Sequence, residues 1–283
     1  MFLFPASRKR KNDAIVGFRS YRSTLLSLVI LSTIGFLWWT TIPQQTSDLP
    51  SAHLLYWQDT QGISLNLQTG KRTVFEGRPS DDASWLKLSP DGTWAARWSR
   101  DDECCTWSLH IYEGVNGPNR GFGPRFGGGD PVSWMPDSEW IAFSAEPLET
   151  TSQMADVSRK ELYLGNIYTK QVKRLTDNTV MDSGPSLSPD GKTIAYTSHG
   201  DGHNLLYLMD VATQTSHVLT VDVEGYNAAW SPDGTWIAFM SKCGRESQTR
   251  SAFHGSIWII RADGTDLQKI QSGADFIELR WLP

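Results

Sequence analysis

The sequence predicts an all-β fold, a five-bladed β-propeller, and three observations carry that prediction. A short phrase recurs: Leu88-Ser89-Pro90-Asp91-Gly92-Thr93-Trp94, Leu187-Ser188-Pro189-Asp190-Gly191-Lys192-Thr193 and Trp230-Ser231-Pro232-Asp233-Gly234-Thr235-Trp236, with a worn copy at Trp134-Met135-Pro136-Asp137-Ser138-Glu139-Trp140. The copies recur about every 45 residues, the period of stacked supersecondary units such as propeller blades. Each copy leads into a strand built around a small residue: Ile141-Ala142-Phe143, Ile194-Ala195-Tyr196 and Ile237-Ala238-Phe239, with Ala95-Ala96-Arg97 the outlier. Between the copies run short turn-punctuated strands with little helical periodicity.

The phrase reads as strand, tight turn, strand. Proline presets φ for the first turn position, and Asp-Gly supplies side-chain hydrogen bonding and a residue free to take φ > 0. The aspartate of such a corner is a turn-former rather than an acid catalyst. The alanine of the next strand (Ala96, Ala142, Ala195, Ala238) is small where its neighbours are large, which suits close packing of one sheet on the next.

The repeat resembles the TolB-type, WD40-like β-propeller repeat, whose hallmark is W-S-P-D-G-x-x-I-A-F followed by two more strands. Trp230 to Phe239 matches it at almost every position, and the resemblance covers about residues 52 to 283. It implies the fold. It says little of activity, because such propellers serve as binding modules, enzyme lids and complete enzymes alike.

Taken in order, residues 1–22 form a basic tail with Arg8, Lys9, Arg10, Lys11, Arg19 and Arg22 against Asp13. Residues 23–42 carry no charge, and the 19 from Ser23 to Thr41 would make a helix of about 28 Å, enough to cross a hydrocarbon core. The expectation is a single-pass signal anchor with the basic tail cytoplasmic and Trp38 and Trp39 at an interface. A cleaved signal peptide is the rival, with Ser51-Ala52 as the site. Residues 43–52 read as a linker and 53–283 as the propeller. Of 26 Lys+Arg and 31 Asp+Glu, six bases and one acid precede Pro43, leaving a formal charge of −10 on the remainder. An acidic ectodomain argues against nucleic acid as partner.

Blade 1 opens without a corner at His53–Trp57 and continues through Ile63–Leu67 and Arg72–Phe75. Blade 2 runs through Trp85–Leu88, Trp94–Trp98 and Trp107–Tyr112, and its outer edge dissolves into the glycine-rich run 121–129, read as a loop. That run lacks dinucleotide-binding spacing, and no helix follows it. Blade 3 carries an insertion from Ser144 to Lys160 and blade 5 one from Lys242 to Gly255, while blade 4 is the most regular. Phe276 to Pro283 resembles a first strand with no blade of its own, and blade 1 lacks its innermost strand. The two fit each other, so the ring should close by that exchange and remove an open edge. The alternative is an open or six-bladed arrangement completed by another chain.

Chemistry-bearing constellations are sparse. Cys104, Cys105 and Cys243 form no disulfide framework, and without paired C-x-x-C a zinc knuckle is excluded. His199-Gly200-Asp201-Gly202-His203 reads as a hairpin rather than a metal site, and Asp101-Asp102-Glu103 as solvated charge rather than a calcium loop. No cofactor is expected. No G-x-S-x-G elbow occurs. Strand alternation puts both insertions on the face opposite the Pro-Asp-Gly corners, together with the connectors bearing Asp82, Asp130, Asp182, Tyr226 and Asp275. This membrane-distal face is the expected seat of a protein partner or ligand. A hydrolase or lyase using the connector carboxylates at the funnel is the alternative function, and an accessory subunit of a membrane complex a further one.

Overall fold

The repeated phrase folds as the same corner in three blades. A computed structural model of the chain describes residues 49–58, 61–76, 86–100, 107–126, 129–146, 159–242 and 253–282. In each corner the serine hydroxyl donates to the aspartate Oδ1 two residues on and accepts the amide five residues on. The pairs are Ser89–Asp91 at 2.6 Å with Trp94 N at 2.9 Å, Ser188–Asp190 at 2.6 Å with Thr193 N at 3.0 Å, and Ser231–Asp233 at 2.5 Å with Trp236 N at 2.9 Å. All three serines are buried, so each bond satisfies an amide that would otherwise be costly. Gly92, Gly191 and Gly234 take φ of +73°, +72° and +71°, a region open to glycine without steric penalty. In the worn copy Ser138 holds φ +60° at the glycine position. Its hydroxyl accepts the Asp91 amide of the neighbouring blade at 3.2 Å, so the departure from glycine gains an inter-blade contact. The Ser89 hydroxyl, with Thr93, holds the Asp91 carboxyl down at about 2.

Five antiparallel blades follow. Blade 1 holds β1 (His53–Gln58), β2 (Gln61–Asn66) and β3 (Arg72–Glu76). Blade 2 holds β4 (Lys87–Leu88), β5 (Trp94–Arg100), β6 (Trp107–Glu113) and β7 (Phe122–Phe126). Blade 3 holds β8 (Ser133–Trp134), β9 (Trp140–Ala145), β10 (Glu161–Asn166) and β11 (Val172–Arg174). Blade 4 holds β12 (Met181–Leu187), β13 (Thr193–Gly200), β14 (His203–Asp210) and β15 (Ser216–Val218). Blade 5 holds β16 (Tyr226–Trp230), β17 (Trp236–Lys242), β18 (Phe253–Arg261) and the first part of β19 (Gln268–Leu282).

The ring closes through β19. The sequence reads Leu267–Ile270 as the last strand of blade 5 and Phe276–Pro283 as a separate one, and the chain instead forms a single strand of 15 residues, Gln268–Leu282. Its first part pairs with β18, from Gln268↔Ile259 to Phe276↔Phe253. Its last part is the inner strand of blade 1, with Leu279↔Tyr56, Trp281↔Leu54 and Leu282↔His53. Blades 5 and 1 are therefore one seven-stranded sheet, β16-β17-β18-β19-β1-β2-β3. Register shifts at Gly255/Ser256 and Ile257/Trp258 give β19 the local bend that such bulges provide. The glycine-rich run also departs from expectation, since β7 forms within it. Phe122 and Phe126 are buried in the core between blades 2 and 3, and that burial outweighs the weak strand preference of the intervening Gly123 and Pro124.

At the axis, one donor joins most blades to the blade before. Trp134 Nε1 donates to Lys87 O, Trp230 Nε1 to Ser186 O and Trp281 Nε1 to Ala229 O, each at 2.9 Å. Blade 4 has Leu187 in place of the tryptophan, and there the Leu187 amide donates to Ser133 Oγ at 2.9 Å. Farther out, Ala96, Ala142, Ala195 and Ala238 are fully buried and let the aromatic residue of the next blade approach, as Phe143 does beside Ala96. The end of the expected linker belongs to the packed unit. Leu49 packs on the core of blades 5 and 1, Ala52 is part of it, and Gln68 Nε2 donates to Leu49 O at 3.0 Å.

Residues 1–48, and with them the basic tail and apolar segment 23–42, lie outside the described residues, as do Asp82, residues 101–103, Cys104, Cys105 and Cys243. Among the described residues no helix is long and apolar enough to cross a membrane.

Deleting residues 276–283 removes the partner of β1 and the Trp281 donor together. The truncated chain is expected to lose cooperative urea unfolding or to aggregate, each buried unpaired backbone group costing about 1–3 kcal/mol. A truncated protein that unfolds like the full chain would contradict closure by β19.

Candidate functional site on the connector face

Strand alternation gives the propeller two unlike faces. One carries the Pro-Asp-Gly corners, the turns 67–71, 114–117, 167–171, 211–215 and 262–266, and the point where the chain reaches β1. The other carries the β13–β14 hairpin, the ends of β9 and β10 that flank one insertion, the ends of β17 and β18 that flank the other, and the connectors between blades. Of the insertions expected at Ser144–Lys160 and Lys242–Gly255, residues 144–145 end β9, Lys242 ends β17 and residues 253–255 open β18, while 147–158 and 243–252 lie outside the described residues.

Between blades 3 and 4 the connector face is built on a polar network. Glu161, at the start of β10, is buried. Its Oε1 accepts from Arg174 Nη2 at 2.9 Å and from the Asn178 amide at 3.1 Å, and its Oε2 accepts from Thr176 Oγ1 at 2.5 Å. Thr176 in turn accepts the Leu162 amide at 2.9 Å. Asn178 is held from three sides, because its Nδ2 also donates to Asp182 Oδ2 at 2.8 Å and its Oδ1 accepts the Val180 amide at 2.8 Å. The connector is thus a fixed ridge whose exposed residues are Asp177, Asn178 and Thr179. Thr220 repeats the arrangement in the next blade, accepting the Leu206 amide at 3.1 Å. Sequence reasoning missed this pair. Laying Leu175-Thr176 over Leu219-Thr220, one blade apart, is the comparison that finds it.

The sequence-nominated residues divide. Asp130 is half-buried and bridges elements. Its Oδ1 accepts from Lys160 Nζ at 2.9 Å, its Oδ2 from Ser144 Oγ at 2.5 Å and the Gly184 amide at 3.3 Å, and its carbonyl from Trp98 Nε1 at 2.8 Å. Asp182 is fully buried. Burial pushes its carboxyl up, the Ser198, Asn178 and Thr176 side chains oppose this, and the Glu161 charge adds to it; Oδ1 has no partner within hydrogen-bond distance. Tyr226 is half-buried, and its hydroxyl donates to Glu224 Oε2 at 3.4 Å. Burial, then the Glu224 charge, raise it well above the usual phenol range. Glu224 Oε1 also meets His203 Nδ1 at 3.5 Å. Asp275 lies in β19 opposite His254, and Asp82 is outside the described residues.

These five do not share one spacing in the sequence from the axial residue of their blade. Asp130 and Tyr226 stand four residues before the axial residue of their blade, Asp182 five, and Asp82 and Asp275 six. Successive strand residues face opposite ways, so a shared "connector acid" label does not make a convergent set. Among the described residues no cluster of three or more His, Cys, Asp or Glu could hold a metal ion. The His199–His203 stretch is the β13–β14 hairpin, with Asp201 and Gly202 at φ +51° and +79°. On the opposite face a cleft of about 460 Å³ opens at the channel mouth, lined among others by Trp134, Trp230, Trp281, Pro136 and Pro189.

A raised folded-state pKa means that Asp182 favours the fold most when protonated, and that this contribution is lost as pH rises through the folded value. Asp182→Asn keeps an acceptor for Asn178 and removes the charge. Between pH 4 and 8 its melting temperature is expected to fall less than that of the parent. The variant should be ahead at pH 8 by about 1–3 kcal/mol, the range for an unsatisfied buried polar group. Parallel melting curves across this range would contradict the assignment.

A 159-residue stretch is 28% identical to the Dipeptidyl-peptidase 5 of Porphyromonas gingivalis, covering 52% of this chain and 22% of that protein. A 117-residue stretch is 29% identical to the Protein TolB homolog of Chlorobaculum tepidum, covering 40% of this chain and 24% of that protein. The matches thus span about a quarter or less of these relatives' length. The structure of a putative TolB from Agrobacterium tumefaciens superposes with a TM-score of 0.57 at 17% identity, covering 82% of this chain and 87% of that one, a likeness of fold. Residues 125–273 match the TolB beta propeller domain, and the chain belongs to that family.

Proposed function

We propose that the chain is a membrane-anchored, extracytoplasmic propeller that binds a protein partner on its connector face. The carrying observation is the ridge at Asp177–Thr179, which Asn178 locks to two buried carboxylates, Glu161 and Asp182. A surface fixed before contact loses little conformational entropy on binding, and variable loops on a rigid scaffold are the common seat of recognition. One relative, the Tol-Pal system protein TolB of Roseobacter denitrificans, is named as part of a protein system, which fits this reading, while another is named a dipeptidyl-peptidase. Residues 23–42 supply the anchor, and the basic tail keeps the N-terminus cytoplasmic. With the chain reaching β1 on the Pro-Asp-Gly face, the connector face is the membrane-distal one. A funnel hydrolase has less support, because Asp130 is paired with Lys160 and Asp182 is sealed from solvent.

The test is crosslinking in the native membrane followed by identification of what co-purifies, for the parent and for a variant with 147–158 and 243–252 shortened to Gly/Ser links. Loss of the partner with a melting temperature nearly unchanged is expected. Retained capture, or crosslinks concentrated on Lys71, Lys170 and Lys192, would place the partner on the other face. Release of the protein by carbonate wash would remove the anchor from the proposal.

A further inference from the structure

The outermost strand of blade 1 differs from the other outer strands of the ring. Strand β3 ends the seven-stranded sheet, and all of its residues, Arg72-Thr73-Val74-Phe75-Glu76, are exposed. Val74 is 53% exposed and Phe75 39%. Such an edge offers a row of backbone donors and acceptors to another strand, and proteins ordinarily blunt it. The other outer strands are blunted. Strand β7 contains Pro124, which has no N–H to offer. Strands β11 and β15 have 3 residues each, and β11 carries Lys173 beside Arg174. The outer part of β19 is interrupted by register shifts, the mark of bulges.

The hairpin before β3 fixes which of its backbone groups look outward. Asn66 N donates to Lys71 O at 2.9 Å, and Gly70 N to Asn66 O at 2.9 Å, so Asn66 and Lys71 stand as a hydrogen-bonded pair. Bonded and non-bonded pairs alternate along an antiparallel ladder. Leu65↔Arg72, Ile63↔Val74 and Gln61↔Glu76 are therefore the non-bonded ones. Arg72, Val74 and Glu76 aim their N–H and C=O away from β2. Their side chains share one face of the strand, and Thr73 and Phe75 share the other.

This outward set is self-complementary. Laid antiparallel on a second β3 about Val74, it puts Val74 opposite Val74 and Arg72 opposite Glu76 at both ends. Every one of these is a bonded pair, so each exchanges both of its backbone bonds. On the other face Thr73 meets Phe75, whose ring Trp57 already holds edge-on at 6.2 Å between centroids. Arg72 Nη2 donates to Gln271 Oε1 at 2.6 Å, which fixes the guanidinium beside the strand, and its planar fork carries further N–H groups for a carboxylate. Sliding the strands by one residue brings groups already bonded to β2 into the interface, and larger steps shorten the overlap and part the charges.

We propose that β3 is a dimerisation edge whose occupant is the β3 of a second copy of this chain, joined about a two-fold at Val74. The two blades form one sheet across an isologous contact. Strands turn by about 20–25° per step, and β3 lies three steps from the inner strand in the order β19-β1-β2-β3. The two-fold, normal to the sheet at β3, thus runs nearer the propeller axis than across it. Both copies keep their Pro-Asp-Gly faces on the same side, which suits two chains tethered to one membrane. A single-strand edge is small beside the standard interface of about 1,600 Å², so the pairing is weak in dilute solution and favoured where chains are concentrated.

The test is disulfide trapping in the full chain, purified in detergent with Cys104, Cys105 and Cys243 changed to Ser. Bonded antiparallel partners sit about 5.5 Å apart at Cα, within disulfide reach. Under mild oxidation Val74→Cys is expected to give a covalent dimer on a non-reducing gel, while Val115→Cys, an equally exposed turn site, stays monomeric. Adding Arg72→Glu or Glu76→Arg alone should cut the dimer yield about tenfold, because like charges then face each other at both ends. Adding both together should restore it. Equal linking of Val74→Cys and Val115→Cys, or no linking of Val74→Cys at high protein concentration, would overturn the proposal. So would a double exchange that melts like Val74→Cys alone yet does not recover the dimer.

Discussion

The structure depends on one bond repeated around its axis, an indole N–H from one inner strand to a carbonyl of the inner strand before it. Trp134, Trp230 and Trp281 make it at a common length. Each is worth about 0.5–1.5 kcal/mol net, which is modest. Its larger effect is on geometry, because an anchored indole sets how far each blade sits from the last. The Ser-Pro-Asp-Gly turn that follows in blade 5 holds the next strand at the same register, Trp230↔Ile237. The alanine beside that register then faces the neighbouring blade, where only a small side chain admits an aromatic ring.

The blade count and the closure were legible in the sequence, whereas the axial indole bonds were not. Four copies of the phrase gave four blades, and the unmatched strand at each end of the repeat gave the fifth and its closure. Two further features were not legible. Strand β7 runs through Gly123 and Pro124, residues that ordinarily argue for a loop; only the burial of Phe122 and Phe126 against blade 3 decides it. The continuity of β19 was hidden because its two halves pair with different blades, so periodicity shows them as separate strands.

The candidate site was less legible than the fold. Composition marks acids on the connectors, yet what an acid does depends on register and burial. Asp130 accepts from a lysine and a serine, while Asp182, one position off in its own blade, is sealed and raised in pKa. The residue that organises the ridge, Asn178, carries no motif at all. Its role comes from touching Glu161, Asp182 and Val180 at once, a three-body relation that a linear pattern does not encode.

The most direct test of the axial bond is indole hydrogen exchange, followed by nuclear magnetic resonance with assigned tryptophan side chains. Trp134, Trp230 and Trp281 should exchange slowly, with a urea dependence matching global unfolding, because freeing any of them separates inner strands. Exchange of these three indoles at the rate of a solvent-exposed tryptophan, in a protein that otherwise stays folded, would contradict the account.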